Sequence, residues 1–484
     1  MNNKGITAKK SENFSEWYTQ IIQKCELADL RYNVKGFLVF QPWSVLSMEK
    51  IYDFMESTLQ RKNHKPYWFP TLIPESNLKK ESSHIKGFTP EVFWVNEAGN
   101  NKLDERLALR PTSETAFYQM FSLWIRSYKD LPFKTYQRAN VFRYETKATR
   151  PLIRTREIFW IEAHDAFATK KEAEEQVQED IEMTDSVMHQ IFGVPFIPMK
   201  RPTWDKFPGA EYTIGSDSIL PDGKVIQQPS THLLGQNFSK SFDVKFTDEK
   251  EKENYVWQTC YGPAISRILA SVISIHGDDF GLVLPFTISP IQVVIVPIIK
   301  SNSPNKIDER IEDIRFKLFS ENIEVEVDYS EKRPGEKFFF WEMKGVPFRI
   351  EIGEEEIKSG KAIVFIRDTK EKIKVDLKNL SEDLKNFGVE YDVRLRQRAD
   401  EFFSKSIVNC KDKDSIKKSL DFGHIARFDF CSVEKDGEKC AEYIEKELQA
   451  RVMGIRVDKK EKASGKCSFC NKKANEVVYA GKSY

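Results

Sequence analysis

Arg138, Arg143, Lys147, Arg150, Arg154 and Arg156 crowd around a single internal acid, Glu145. Guanidinium groups bind phosphate oxygens through paired N–H donors, and a carboxylate beside them accepts a hydrogen bond from an exocyclic amine such as that of adenine. The stretch therefore reads as a nucleotide site, and the competing account is a basic, solvated turn. Its flanks decide between the two. Phe133 to Phe142 leads in with aromatic and apolar residues, and Glu157 to His164 leaves with alternating character. That pattern predicts a hairpin of two strands presenting a charged loop.

A chain of 484 residues holds about three domains and can bury a substantial core. With 75 basic and 74 acidic residues it has no global positive field, so a nucleic-acid partner must be met by local patches. Met1 to Asn13 is polar and lacks an apolar signal region, which predicts a cytoplasmic protein. Leu282 to Ile299 has the length of a membrane span, but Pro285, Pro290 and Pro297 forbid one uninterrupted helix. It reads as a domain junction followed by a buried strand from Gln292. Cys25, Cys260 and Cys410 stand alone, whereas Cys431, Cys440, Cys467 and Cys470 crowd the end of the chain. Crowding of that kind points to a metal in a reducing compartment and not to a disulfide framework.

Phe14, Trp17, Tyr18, Ile21 and Ile22 recur at helical spacing, as do Val45, Met48, Ile51, Tyr52 and Met55. The second helix leads into Tyr67–Pro74, read as an aromatic strand whose Pro70 belongs at an edge, an end or an interface. Leu107–Arg110 is a short strand stopped by Pro111, after which Thr112, Ser113 and Glu114 open a helix, with Thr112 or Ser113 a candidate cap. Lys171 to Phe192 is a surface helix with an acidic face, and Ile265 to Ile273 a buried helix carrying Arg267. From Ile291 strands alternate with helical pattern, predicting an α/β domain, and a charged helix from about Asp392 to Ser406 links it to the Cys-rich tail.

Pro70 after a helix-strand unit, Phe142-Arg143-Tyr144-Glu145, Arg267 after a Gly-containing turn, and an α/β domain after Pro290 follow one another in order. This order resembles the three-motif core of class II aminoacyl-tRNA synthetases followed by a class IIa anticodon-binding domain. Arg110-Pro111-Thr112-Ser113-Glu114, Arg154-Thr155-Arg156-Glu157, Leu234 to Lys240, His276 to Pro285, Lys344-Gly345-Val346-Pro347 and the terminal Lys482-Ser483-Tyr484 are similar to prolyl-tRNA synthetases of the archaeal and eukaryote-like form. The resemblance covers nearly the whole chain. It implies an antiparallel class II sheet flanked by helices over 1–288, with motif 1 around 40–74, motif 2 around 133–164 and motif 3 around 258–285. An α/β anticodon-binding domain over 289–390 and a linker helix with a small α+β zinc-binding module over 391–484 follow.

The resemblance also implies the reaction: L-proline and ATP form prolyl-adenylate, and the prolyl group passes to the 3′ end of tRNA(Pro). Arg143 and Arg267 are then the catalytic pair, and Arg143, Glu145, Arg154, Thr155, Gln227, Ser230 and Arg267 bind ATP. Thr112, Glu114, Arg143, Trp160, Glu162, His164, Phe167 and His232 bind proline. Mg2+ travels with the ATP, with Gln227 as a weak ligand. Two departures stand out. Pro229 stiffens the run Gln227 to His232 beside Ser230, and Pro263 loosens the spacing between Gly262 and Arg267.

Cys467-x2-Cys470 with Cys431-x8-Cys440 fits a closed structural zinc site of four thiolates, against a redox Cys-x-x-Cys or a knuckle that has lost its ion. Tyr484 is expected near the active site. Lys344, Arg349 and Glu351 resemble anticodon-reading positions, while a salt-bridged strand surface accounts for them equally. Glu354-Glu355-Glu356 replaces the family's usual Pro-Arg-Asp. The interval from Glu145 to Arg267 is too short for an editing insertion, so no editing in cis is expected. Partners implied are L-proline, ATP, tRNA(Pro) and a second copy in a homodimer, with no membrane and no DNA. The rival is a non-catalytic, synthetase-like RNA-binding or regulatory paralogue, against which the retained Arg143, Glu145, Arg267, Thr112 and Glu114 argue.

Overall fold

Strands rich in β-branched and aromatic residues make an eleven-stranded sheet the spine of the molecule. A computed structural model describes residues 5–84, 92–146, 148–298 and 306–484. Lys147 and the end of the expected strand at Ile299 lie outside the described residues. The sheet runs Ile407–Asn409, Ile425–Phe430, Glu476–Ser483, Arg451–Arg456, Ile197–Lys200, Tyr212–Ile219, Lys224–Gly235, Trp257–Gly262, Glu157–Phe167, Phe133–Phe142 and Lys65–Pro66. The C-terminal module is thus no separate body: Arg451–Arg456 pairs antiparallel with Ile197–Lys200, and Glu476–Ser483 pairs parallel with Lys224–Gly235.

The expected hairpin forms, with Phe133 opposite Ala166 and Phe142 opposite Glu157. Alternation sends Ile161 and Ala163 to one face, where they pack with the helices Phe14–Lys24, Pro42–Arg61 and Ile265–His276. Between Tyr212–Ile219 and Lys224–Gly235 the register jumps, so that Gln228 and Pro229 together oppose Ser216. Pro229 is accommodated at that bulge, where the ladder asks for no N–H.

Tyr67–Pro74 is not one strand. Lys65–Pro66 pairs with the sheet edge and Leu72–Pro74 pairs with Leu107–Leu109, leaving Trp68 between them 89% exposed. Leu107–Leu109 is itself the end of a longer strand, Asn101–Leu109, in a hairpin with Trp94–Ala98.

The second sheet runs Val325–Val327, Val293–Pro297, Phe348–Ile352, Lys361–Ile366 and Lys372–Asp376, its first three strands parallel. Val293 to Val296 is an unbroken apolar run because helices or loops cover both faces. The linker helix is longer than expected: Leu380–Lys405 crosses the anticipated boundary at 390, its first half packing into this domain's core through Leu384 and Tyr391. Arg367 forks onto Asp278 at 2.6 and 2.9 Å and clamps the second sheet to the turn after the helix Ile265–His276.

Candidate active site

Trp160, Glu162 and His164 stand at two-residue intervals on Glu157–Phe167 and so share one face. Gln137 opposes Glu162 on one neighbouring strand, and Cys260 opposes His164 on the other. Trp160, Glu162, His164 and Cys260 line a cavity of about 200 Å³ together with Thr112, Glu114, Arg143, Gln227, Ser230, His232 and Arg267. Phe167 corrects the expectation. It falls on the opposite parity and packs with Ala173, Val177, Ile214 and Leu233, away from the cavity. Phe207 supplies the aromatic wall instead, its ring 4.8 Å from that of His232. A loop residue with no periodicity around it gave the sequence reading no signal; Cys260 was missed because its strand-mates were not known.

Glu114 begins the helix Glu114–Trp124, and Ser113 stands at the N-cap position, but its hydroxyl makes no cap hydrogen bond. Thr112 Oγ1 donates to Glu114, and Ser113 Oγ donates to Glu162. Gln137 Nε2 gives Glu162 a second hydrogen bond of 2.6 Å, and His164 Nε2 lies 3.4 Å away. Burial, and then the nearby Glu162 charge, raise the Glu114 carboxyl above its ordinary range. Burial also works to raise Glu162, but His164, Ser113 and Gln137 outweigh it and hold that carboxyl below its ordinary range.

Arg143 is fixed by Nε donating 3.0 Å to the Pro111 carbonyl, with its guanidinium 5.6 Å from the Trp160 ring and open to the cavity. Protein enclosing it weakens its hold on its proton. Arg267 donates from Nη1 to the Gln227 carbonyl at 3.1 Å, and burial, with Arg143, Arg154 and Arg451 close by, brings it down to about 10. Cations massed around an empty space repel one another unless an anion enters. Arg267 and Gln227 also line an adjoining cavity of about 490 Å³ with Arg154, Arg451 and Tyr484, so one continuous cleft joins a small buried end to a wider basic end.

The other cations of the opening cluster go elsewhere. Arg138 pairs with Glu49 over the Tyr52 ring, Arg150 lies against Phe14, Tyr18 and Tyr484, and Arg156 caps the Glu145 carbonyl. Glu145 stands beside the cleft, its carboxylate 3.9 Å from Arg154. Thr155 is buried with its hydroxyl turned to the Glu157 carbonyl, away from both cavities. Tyr484 reaches the wide end as expected: Arg154 donates to its main-chain oxygen, and its hydroxyl donates 2.7 Å to Asp222.

His232 Nδ1 lies 2.8 Å from the Thr213 hydroxyl and Nε2 lies 3.1 Å from the Ser230 hydroxyl. Burial and the neighbouring Arg201 drive its pKa down to about 3, so the ring is neutral. Among the described residues the buried Trp160 Nε1 has no hydrogen-bond partner, a donor left for a ligand.

Lys344, Arg349 and Glu351 do not form an exposed reading surface. Lys344 is buried and donates to the Cys25 carbonyl at 2.8 Å and to Glu26 at 2.7 Å, bracing the second domain against the first. Arg349 lies between the Phe338 and Phe365 rings and donates to Glu351 at 2.9 Å. Only Glu351 opens on a groove, shared with Glu354, Glu355 and Glu356.

The thiols of Cys431, Cys440, Cys467 and Cys470 all lie within 4.8 Å of one another. The helix Glu438–Leu448 brings in Cys440, and a tight turn closed by Asn471 N–H on the Cys467 carbonyl at 2.9 Å brings in the last pair. Four soft donors converging on one point fit a tetrahedral thiophilic ion.

A sheet of antiparallel strands with arginines from separate segments over a cleft defines a class II aminoacyl-tRNA synthetase core. Residues 93–276 match the tRNA synthetase class II core domain (G, H, P, S and T), 292–387 the anticodon binding domain, and 413–484 the prolyl-tRNA synthetase C-terminal domain. The chain is 47% identical to a proline–tRNA ligase of Thermofilum pendens, with all of both chains covered, and 43% identical to that of Methanopyrus kandleri over 97% of this chain and 96% of that one. A prolyl-tRNA synthetase of Giardia lamblia in complex with prolyl-adenylate superposes with a TM-score of 0.94 at 38% identity, covering 99% of this chain and 100% of that one. One from Cryptosporidium parvum with L-proline and AMP gives 0.92 at 32%, covering 100% and 98%. The chain belongs to the prolyl-tRNA synthetase family.

Proposed function

We infer that this chain is a proline–tRNA ligase: it joins L-proline to ATP as prolyl-adenylate, releasing diphosphate, and passes the prolyl group to the 3′ end of tRNA(Pro). The observation that carries the reading is the convergence of Arg143 and Arg267 on one cleft whose small end holds the buried Glu114. The substrate carboxylate is itself the nucleophile, so catalysis is alignment and charge stabilisation. Arg143, between the two cavities' contents, meets the proline carboxylate and the α-phosphate as negative charge builds there. Arg267 and Arg154 hold the outer phosphates, and Glu145 at the rim accepts from the adenine amine. Glu114 and Thr112 take the secondary ammonium of proline, with Trp160, Glu162, His164, His232 and Phe207 shaping the pocket around its ring. Thr155 acts through the backbone it braces.

Mg2+ accompanies the phosphates. Gln227 is a poor ligand for it, because its Oε1 already accepts from the Arg201 cation at 3.1 Å. The four C-terminal cysteines hold a structural Zn2+, and the domain matched over residues 292–387 grips the anticodon arm, with the acidic groove at Glu351 and Glu354–Glu356 meeting base donors. The exposed Trp68 and Leu72 support a homodimer through the motif 1 edge. Core strands and helices fill the interval from Glu157 to Gly262, which supports the absence of editing in cis. Among the described residues no helix is long and apolar enough to cross a membrane, and we assign the enzyme to the cytoplasm.

Amino-acid-dependent exchange of diphosphate into ATP tests the reading. Proline, and not threonine or glycine, stimulates it; a purified, folded chain that shows no proline-dependent exchange would restore the non-catalytic paralogue.

A further inference from the structure

Glu114, His164 and Cys260 bring a carboxylate oxygen, a ring nitrogen and a thiol sulfur within 4.8 Å of one another. All three are buried and line the small end of the cleft. The sheet builds this grouping: Cys260 and His164 are register partners on neighbouring antiparallel strands, so their side chains stand abreast. The first residue of the helix Glu114–Trp124 closes the third side, with its carboxylate 4.0 Å from the Cys260 thiol. Tyr118 Oη, 2.9 Å from His164 Nδ1, fixes the ring and leaves Nε2 as the nitrogen for a ligand, which would take it from its 3.4 Å contact with Glu162.

Sulfur, imidazole and carboxylate make a donor set for Zn2+, three protein ligands with a fourth position open, whereas Mg2+ and Ca2+ do not seek sulfur. The fourth position here faces the amino-acid pocket. We propose that Glu114, His164 and Cys260 form a second thiophilic metal site, separate from the four-cysteine cluster, and that Zn2+ seated there inhibits by occupying the carboxylate that takes the substrate ammonium. Binding forms three metal–ligand bonds and releases the Cys260 thiol proton to solvent, with no change of oxidation state; water fills the fourth position. The metal site stands by itself, and only the competition rests on the assignment of Glu114 to proline.

Cobalt reports such a site through a thiolate-to-metal charge-transfer band in the near ultraviolet. The full-length chain, first given one equivalent of Zn2+ for the cysteine cluster, is titrated with Co2+. The expected band saturates at one cobalt per chain, is missing from Cys260→Ser and Cys260→Ala, and is bleached by L-proline; comparing both variants by circular dichroism keeps a folding defect in one from deciding the outcome. In exchange assays of the wild type, Zn2+ at about ten times its dissociation constant raises the apparent KM for proline about tenfold and leaves kcat alone. A wild type without the band, or folded variants that keep it, overturns the site. A band indifferent to proline, or inhibition that excess proline does not relieve, overturns the competition. A metal-free wild type that fails to exchange with proline faults the proline reading and leaves the cobalt result standing.

Discussion

Glu114 and Glu162 are buried in one wall of the same cavity, and their surroundings move their acidities in opposite directions. Glu162 is spoken for by Ser113, Gln137 and His164, whereas Glu114 accepts from the Thr112 hydroxyl and, at 4.0 Å, from the Cys260 thiol, and faces the void. A cation entering that void therefore meets Glu114 first. Glu114→Gln is expected to raise KM for proline roughly 10- to 100-fold, the worth of a charge-assisted hydrogen bond, while KM for ATP stays within about twofold. Exchange kinetics at varied proline and varied ATP measure the two separately.

Arg143→Ala should lower proline-dependent exchange by about 10²- to 10³-fold or more, as loss of a preorganised donor at the developing charge does elsewhere. Arg143 and Arg267 repel each other across the cleft, so the variant should melt no lower than the wild type. A parallel fall in melting temperature would indicate a structural arginine.

Two phenylalanines separate pocket from core. Phe207→Ala should raise KM for proline with a modest change in stability, because it opens the pocket wall. Phe167→Ala should cost about 3–5 kcal/mol of stability, the usual penalty for a buried ring, and leave KM nearly unchanged. Denaturant melts beside exchange kinetics give both readouts.

Asp180 lies buried under the sheet, accepting from Thr231 Oγ1 at 2.6 Å and Gln176 Nε2 at 2.8 Å. Burial, and then the neighbouring Asp165, push its pKa up to about 7 from 3.8. The folded state thus holds a proton that the unfolded chain gives up, and stability contributed by this group is complete below about pH 4 and is lost as pH rises through 7. Asp180→Asn keeps a neutral side chain at every pH. It should be more stable than the wild type at pH 8, by roughly 1–4 kcal/mol, and nearly equal to it at pH 4.5. Urea melts at the two pH values check the sign.

Cys467→Ala should reduce bound zinc by about one ion per chain and lower the melting temperature, because a structural site contributes folding energy directly. At temperatures where the variant stays folded, exchange should persist. Metal analysis beside activity distinguishes this from a catalytic role, which would remove exchange from the folded protein.

The elements nearest the chemistry were legible locally. Alternation from Glu157 to His164 and apolar spacing from Ile265 to Ile273 depend only on neighbours in the chain, and both became the elements expected. The helix Pro334–Met343 was not legible, since the run Phe338-Phe339-Phe340-Trp341 carries no period. Nor could local pattern say where Leu380–Lys405 begins, because its first turns look polar and are fixed by packing under the second sheet.

Residue types and their order alone determined the family, the hairpin and the cysteine cluster. Which of the clustered cations face the cleft was decided only by partners distant in the chain: Glu49 and Tyr52 draw Arg138 away, aromatic rings take Arg150, and Arg143 is left beside Arg267. Alternation along a strand assigns side chains to faces, but only the register of neighbouring strands places Cys260 against His164 and turns Phe167 from the pocket, because those contacts come from long-range pairing, which no local period encodes.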